Sequence, residues 1–320
     1  MTQNALFAPA TAPLTIALLV LPQSSILEVA SALDPLRSAN RHLGAEAYRW
    51  RVVTPDGQPA PLTCGISLPS SGPLDHAAGA DALIVIAGYR LAEVATRPLI
   101  RDLRRIAPRF ALVGGIDAAP WVLARAGLLD GYKATVHWED LEDIAALHPH
   151  IDIRPDRYVL DRNRVTIGGA APATDFMLHL ITARHGAPLA RQVANSFLTT
   201  ARRGSNPQIA PPHTDPRLDP RVARVIAQME ARIDAPAPIA AIAAEVGLSP
   251  RRLESLFRTA LGTTPGAYGL SLRLAAARRL LTDTAHPLAE IALRTGFSGP
   301  GTLARAFRRK FNVAPGRLRS

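Results

Sequence analysis

Two stretches in the last third of the chain repeat one another. "IAAEVGLSPRRLESLFRTALGTTP", from Ile242, aligns with "IALRTGFSGPGTLARAFRRKFNVAP", from Ile291. Ile242, Gly247 and Ser249 match Ile291, Gly296 and Ser298 at a spacing of 49. After one inserted residue, Pro250, Leu253, Phe257, Arg258 and Pro265 match Pro300, Leu303, Phe307, Arg308 and Pro315 at a spacing of 50. Each copy reads as helix, turn, helix. Gly247 and Gly296 can take the left-handed conformation of a tight turn, and Ser249 can cap the next helix with Pro250 at its first position. That is the layout of a helix-turn-helix, present twice.

The second helix of each copy has one apolar face and one polar face. Leu253, Leu256, Phe257 and Ala260 follow the helical period, which leaves Arg251, Arg252, Ser255, Arg258 and Thr259 outward. In the second copy Leu303, Ala306 and Phe307 point inward and Gly301, Thr302, Arg305, Arg308 and Arg309 outward. Arg, Ser and Thr on a presented helix suit phosphates and base edges in a major groove. Any one such arginine is more often solvated or on a phosphate than on a base, but the constellation favours DNA binding over a generic helical bundle. "SLRLAAARRLLTD" between the copies predicts a helix that holds the two recognition helices at a fixed separation; about 34 Å would place them in successive major grooves.

Charge is distributed accordingly. From Arg217 to Ser320 there are 17 Lys and Arg against 7 Asp and Glu, a net of +10; the preceding 216 residues hold 20 against 19, a net of +1. A basic domain attached to a neutral one is what a polyanion-binding module would show, since neutralising phosphates releases condensed counterions.

"RRGSNPQIAPPHTDPRLDP", from Arg202, is rich in proline and polar groups and reads as an exposed linker. The boundaries expected are a first domain over 1–201, a linker over 202–217 and a DNA-binding domain over 218–320. In the first domain, the strand candidates "LTIALLVL", "YRWRVVTP", "ADALIVIAG", "RFALVGGI", "RYVLD" and "RVTIGG" alternate with helical patterns such as Ile26 to His42 and Pro98 to Ile106. Val-, Ile- and Leu-rich strands alternating with helices predict an α/β fold with a mostly parallel sheet covered on both faces, followed by an all-α domain. Ligands in such sheets bind at the carboxyl ends of the strands. Two helical stretches, "ATDFMLHLITARHG" and "PLARQVANSFLTTARR", close the domain, packed on it or across a dimer interface. Leu14 to Leu21 is too short to span a bilayer and lacks the flanks of a signal peptide, so no membrane partner is expected. Cys64, the sole cysteine, excludes an intrachain disulfide and a cysteine-based metal cluster; a cytoplasmic protein without metal or cofactor fits.

The segment running from "PIAAIAAEVGLSPRRLESLF" to "SGPGTLARAFRRKFNVAPGRLR" resembles the double helix-turn-helix domain of AraC/XylS-type transcriptional regulators. It departs from that pattern at Gly301, Thr302 and Leu303, where the family usually has a small polar residue, a polar residue or His, and Phe; Asn312 stands where a glycine is usual. "LDPLRSANRHLG", "YRWRVVTPDG", "ARAGLLDGYKATVHWEDL" and "IGGAAPATDFMLHLI" resemble the class I glutamine amidotransferase-like, PfpI-type domain of GlxA-like regulators. The resemblance implies a flavodoxin-like sandwich that senses a small-molecule effector, with relatives responding to amino acids or quaternary amines such as arginine, carnitine or betaine. It also implies promoter DNA as a partner, RNA polymerase as a further one, and a homodimer. In enzymes of the wider superfamily the turn in "LVGGIDAAPW" presents a cysteine nucleophile with a histidine nearby; the resemblance puts Asp117 at the cysteine position and leaves His137 at the histidine position.

An aspartate is no replacement for a thiolate in acyl transfer, so the chain is expected not to be an enzyme. The alternative is a PfpI-type hydrolase or amidotransferase with an accessory DNA-binding domain. Asp117 has two readings: a cap at a helix amino terminus, where Asp is a preferred residue, or part of an anionic and aromatic site for a cationic amine with Trp121, His137 and Trp138. His137 read alone is structural or a pocket wall, and lone tryptophans are commonly core residues.

Overall fold

A computed structural model describes residues 5–9, 12–208, 218–284 and 286–318. The chain divides into two compact units, 1–208 and 209–320.

The first unit alternates strand and helix. In chain order it contains β1 (Leu14–Val20), α1 (Ile26–Leu43), β2 (Tyr48–Val53), a short hairpin of β3 (Ala60–Pro61) and β4 (Ser67–Leu68), β5 (Ala82–Ala87), α2 (Leu91–Val94) and α3 (Arg97–Ile106). Then follow β6 (Leu112–Asp117), α4 (Ala119–Arg125), β7 (Lys133–Ala134), α5 (Leu141–Leu147), β8 (Asp152–Ile153), β9 (Tyr158–Asp161), β10 (Arg164–Ile167), α6 (Ala170–His185) and α7 (Ala187–Ser196). Six strands form one sheet in the order β2-β1-β5-β6-β10-β9, parallel except for β9 against β10. Strand periodicity sorts the core into two layers. Leu14, Ile16, Leu18 and Val20 of β1 join Ile84 and Ile86 of β5 on the face covered by α1, α6 and α7, whereas Ala17, Leu19, Leu83 and Val85 join Leu99, Leu103, Val122 and Leu123 of α3 and α4 on the other. This is the flavodoxin-like sandwich expected. Gly114 and Gly115 of β6 are demanded by closeness: a Cβ on Gly114 would lie 2.4 Å from Val165 Cγ1, and one on Gly115 3.1 Å from Ala119 of α4.

Two local expectations change. The second closing helix stops at Ser196: Leu198 takes φ 52°, and the amides of Leu198 and Thr199 turn back onto Asn195 O and Ala194 O, ending the helix before "TTARR". Residues 202–208 are not free chain either. Though mostly exposed, they are anchored: the Arg202 amide, the carbonyls of Gly204, Asn206 and Gln208 and the Gln208 side-chain amide bond to residues of the first unit. The rest of the expected linker, 209–217, lies outside the described residues.

The second unit is all helical: α8 (Pro220–Ala231), α9 (Ile239–Glu245), α10 (Pro250–Leu261), α11 (Pro265–Asp283), α12 (Leu288–Arg294) and α13 (Pro300–Phe311). It has two small cores. Val222, Val225, Ile226, Ile242, Leu253 and Phe257 form one; Leu274, Leu281, Ile291, Leu303 and Phe307 form the other. The long α11 runs from the first core to the second. Among the described residues no helix is long and apolar enough to cross a membrane.

Candidate functional site

The turn after β6 carries one of the left-handed non-glycine residues of the first unit. Asp117 ends the strand, paired in register with Ala87 of β5, and takes φ 64°, a left-handed value that non-glycine residues seldom adopt. The next residue, Ala118, is the N-cap of α4, and the helix start has no side-chain cap bond. Asp117 therefore does not cap α4. The left-handed turn brings the Asp117 carboxyl to Glu28 and His137, while the Ala118 amide at the helix start also bonds to it.

Four neighbours define that space. Glu28, on the first turn of α1, is 6 % exposed and hydrogen-bonds to Asp117. Its other role is local: Ser25 caps α1, and the Ser25 amide donates back to Glu28 Oε2 at 3.4 Å, completing a capping box. His137 Nε2 lies 4.0 Å from Asp117 Oδ1, and the His137 amide donates to the Asp117 carbonyl at 3.1 Å. His137 Nδ1 is 3.7 Å from Glu139 Oε2. Gly169, at φ 144°, borders the pair: a Cβ there would be 3.7 Å from His137 Cδ2 and 4.0 Å from Asp117 Oδ1.

The electrostatics follow from burial. Desolvation, reinforced by the neighbouring Asp117 charge, pushes Glu28 up to about 9, so near neutrality Glu28 is a carboxylic acid that donates its proton to Asp117. Burial also raises Asp117, against the pull of the His137 charge and the Glu28 hydrogen bond. Asp140 is raised to about 6, chiefly by burial, while the Trp121 indole bonds to it and holds it down. A carboxyl that is kept protonated in the fold favours folding at low pH. That contribution is lost as the pH rises from the ordinary glutamate range through about 9.

The four residues named for this site are thus placed unequally. Asp117 and His137 meet directly. Trp138 stands beside His137, ring centroids 5.8 Å apart, and is 37 % exposed. Trp121 turns to Asp140 and stacks edge-on against His148 at 5.8 Å, so it braces the wall. Sequence reasoning missed Glu28, Glu139 and Asp140. The Ser25-x-x-Glu28 spacing was readable, but as a helix start; nothing local to α1 says that β6 delivers a second carboxyl to it. Cys64 is exposed on the β3–β4 hairpin.

In the second unit both turn glycines are left-handed, Gly247 at φ 70° and Gly296 at φ 69°. Ser249 caps α10, accepting from the Arg252 amide at 3.3 Å. Arg251, Arg252, Ser255, Arg258 and Thr259 of α10 are exposed, as are Arg305, Arg308 and Arg309 of α13. Thr302 is half-buried, its hydroxyl donating to the Gly299 carbonyl at 2.8 Å, so it serves the start of its own helix. Asn312 ends α13 at φ 57° where glycine, Gly262, ends α10.

Comparison with known proteins matches both halves. Residues 15–183 match the DJ-1/PfpI family and residues 242–320 a helix-turn-helix domain family. The chain is 34 % identical over 304 residues to the HTH-type transcriptional regulator CdhR of Pseudomonas aeruginosa, covering 94 % of this chain and 90 % of that one. It is 33 % identical to the HTH-type transcriptional regulator GlxA of Rhizobium meliloti, covering 95 % of each. A crystal structure of an AraC family transcriptional regulator from Pseudomonas putida, 28 % identical, superposes with a TM-score of 0.53 over 58 % of this chain and all of that one. With a DJ-1/PfpI sandwich joined to a doubled helix-turn-helix and whole-length relatives of the same build, the chain belongs to the GlxA-like AraC-type transcriptional regulators.

Proposed function

We propose that the protein is a ligand-responsive, sequence-specific regulator whose first unit binds a small cationic amine and whose second unit binds promoter DNA. One observation carries the amine reading: Asp117 is held at a left-handed turn, among Glu28, Glu139 and Asp140, with a partly exposed Trp138 beside His137. The surroundings are carboxyl-rich and partly desolvated, so a positively charged group gains more there than in water. An aromatic face adds a cation–π contact of about 0.5–2 kcal/mol. Amino acids and quaternary amines have this chemistry. Glu28, protonated, keeps Asp117 oriented and leaves the pair one negative charge for the ligand's positive charge to neutralise. A carboxylate at the elbow is a poor acyl-transfer nucleophile, which favours binding over turnover.

For DNA, Arg251, Arg252, Ser255, Arg258 and Thr259 of α10 and Arg305, Arg308 and Arg309 of α13 are the contacts, with Thr302 supporting the second helix. The working form is a homodimer, and RNA polymerase is a further partner. Calorimetry with a panel of amines, including arginine, carnitine and betaine, tests the sensing half. An amine that binds wild type and loses about tenfold or more in affinity on Asp117→Asn supports it, that being the scale of one buried charge contact. An amine affinity unchanged by Asp117→Asn removes Asp117 from the site. Footprinting that finds no preferred sequence at low salt contradicts specific DNA binding.

A further inference from the structure

The segment after α7 is tied to the first unit by a buried ion pair and ends at the wall of the Asp117 site. Arg157 and Asp175 have side chains only 6 % exposed and meet at 2.7 Å. Each also holds the segment. The Arg202 amide donates to Asp175 Oδ1 at 2.9 Å, the Arg157 amide donates to the carbonyls of Gly204 and Asn206 at 2.8 and 3.0 Å, and Arg157 Nη1 donates to the Gln208 carbonyl at 3.1 Å. Gly204 is needed where the segment crosses Tyr158, since a Cβ there would sit 2.8 Å from the Tyr158 ring and carbonyl. A buried ion pair that also bonds to the chain around it is costly to disturb on one side, because the other charge is stranded.

Gln208 is the last residue of this segment and of the first unit. Its side-chain amide enters the space that a Cβ on Gly168 would fill, 2.3 to 2.5 Å from that position. There Gln208 Nε2 donates toward Thr135 Oγ1 at 2.9 Å, the Val136 carbonyl at 2.7 Å and the Asp156 carbonyl at 3.0 Å. Val136 immediately precedes His137, and Gly168 immediately precedes Gly169; His137 and Gly169 are the two walls beside the Asp117 carboxylate. One amide therefore bonds the chain just before His137 and packs over Gly168, just before Gly169.

We infer that Gln208 is a positioning residue of the ligand site, and that through it the chain leading into the DNA-binding unit is coupled to the occupancy of that site. The inference deepens the sensing reading and rests on it for the meaning of the site. The physical content is a shared residue: the seated Gln208 amide holds the chain before His137 and packs on Gly168, and Gln208 is also the residue at which the first unit ends. Coupling of this kind is reciprocal, so DNA bound to the second unit alters the walls.

Reciprocity permits a test without any amine. Hydrogen exchange is followed in the full chain over the peptides spanning 133–137 and 166–169, with and without a duplex selected in vitro by the full chain. Wild type is compared with Gln208→Ala and with Gly168→Ala, which evicts the same amide from the opposite side. Expected are a DNA-dependent change in wild-type exchange of about threefold or more at both peptides and its loss in both variants, with duplex affinity shifted by no more than about threefold, the scale of the coupling itself. Wild-type exchange that ignores the duplex, or variants that still transmit the change, overturns the inference. Failure of the amine reading alone leaves this result standing, because no amine is present.

Discussion

The two helix-turn-helix units have the same interior and different surfaces. Leu253 and Phe257 in α10, and Leu303 and Phe307 in α13, are each 0 % exposed, and each helix ends on a left-handed residue. Outside the core the copies part. In α10 Arg258 is paired with Glu254 at 2.8 Å, whereas Ala304 stands at the matching place in α13, whose Arg305, Arg308, Arg309 and Lys310 share the helix with no acidic residue. Gly247 has open space around the position of a Cβ, but a Cβ on Gly296 would lie 2.5 Å from the Ile233 carbonyl and 2.7 Å from Pro236 Cδ. Arg273 of α11 bonds at the second turn, donating to the Thr295 and Gly296 carbonyls and stacking over Phe297 at 4.1 Å. The first turn faces solvent, and the second is wedged between the loop after α8 and the long linking helix. A repeat thus duplicates a packing solution, while each copy's electrostatics and environment are set by its place in the chain.

The strongest test of the shared interior is to delete it. Phe257→Ala and Phe307→Ala should each cost about 3–5 kcal/mol in denaturant unfolding of the second unit, as expected for emptying a core aromatic; a much smaller cost for one would break the equivalence. The turns should separate the copies next. Gly296→Ala meets both left-handed strain and overlap and should cost about 2–4 kcal/mol, against about 1 kcal/mol for Gly247→Ala, where strain acts alone. On DNA, Arg308→Ala should lower the slope of log affinity against log salt by about 1, and Arg258→Ala by less, because Glu254 already offsets that charge. Equal slopes for the two variants would mean that the pairing with Glu254 is irrelevant on DNA. The smallest difference lies at the helix starts: Ser249→Ala should cost about 1 kcal/mol, while Gly299→Ser should gain only a few tenths, since the second helix begins without a side-chain cap.

The sequence made the interiors legible and the partnerships less so. Phe257 and Phe307, the turn glycines and the six sheet strands announce themselves through period and spacing, which are local. The "TTARR" stretch extends a helical pattern by composition, and only the left-handed Leu198 stops it. Asp117 looks like a cap because it directly precedes a helix; its backbone conformation, which no residue count reveals, makes Ala118 the cap. Glu28 carries a visible helix-start signature that hides its second role, because its partner arrives 89 positions later in the chain. Gln208 was unreadable for the same reason: its acceptors, on Thr135, Val136 and Asp156, lie more than fifty positions earlier in the chain.

The central claim is that a cation at Asp117 changes what the second unit does. Fluorescence anisotropy of a labelled, in vitro selected duplex at fixed salt, titrated with the full chain in the absence and presence of a saturating amine ligand identified by calorimetry, measures this directly. The account predicts a shift in DNA Kd of about fivefold or more, matched by an equal shift in amine Kd when DNA is bound, with both shifts gone in Asp117→Asn. An amine that binds at Asp117 while leaving the DNA Kd unchanged would contradict it.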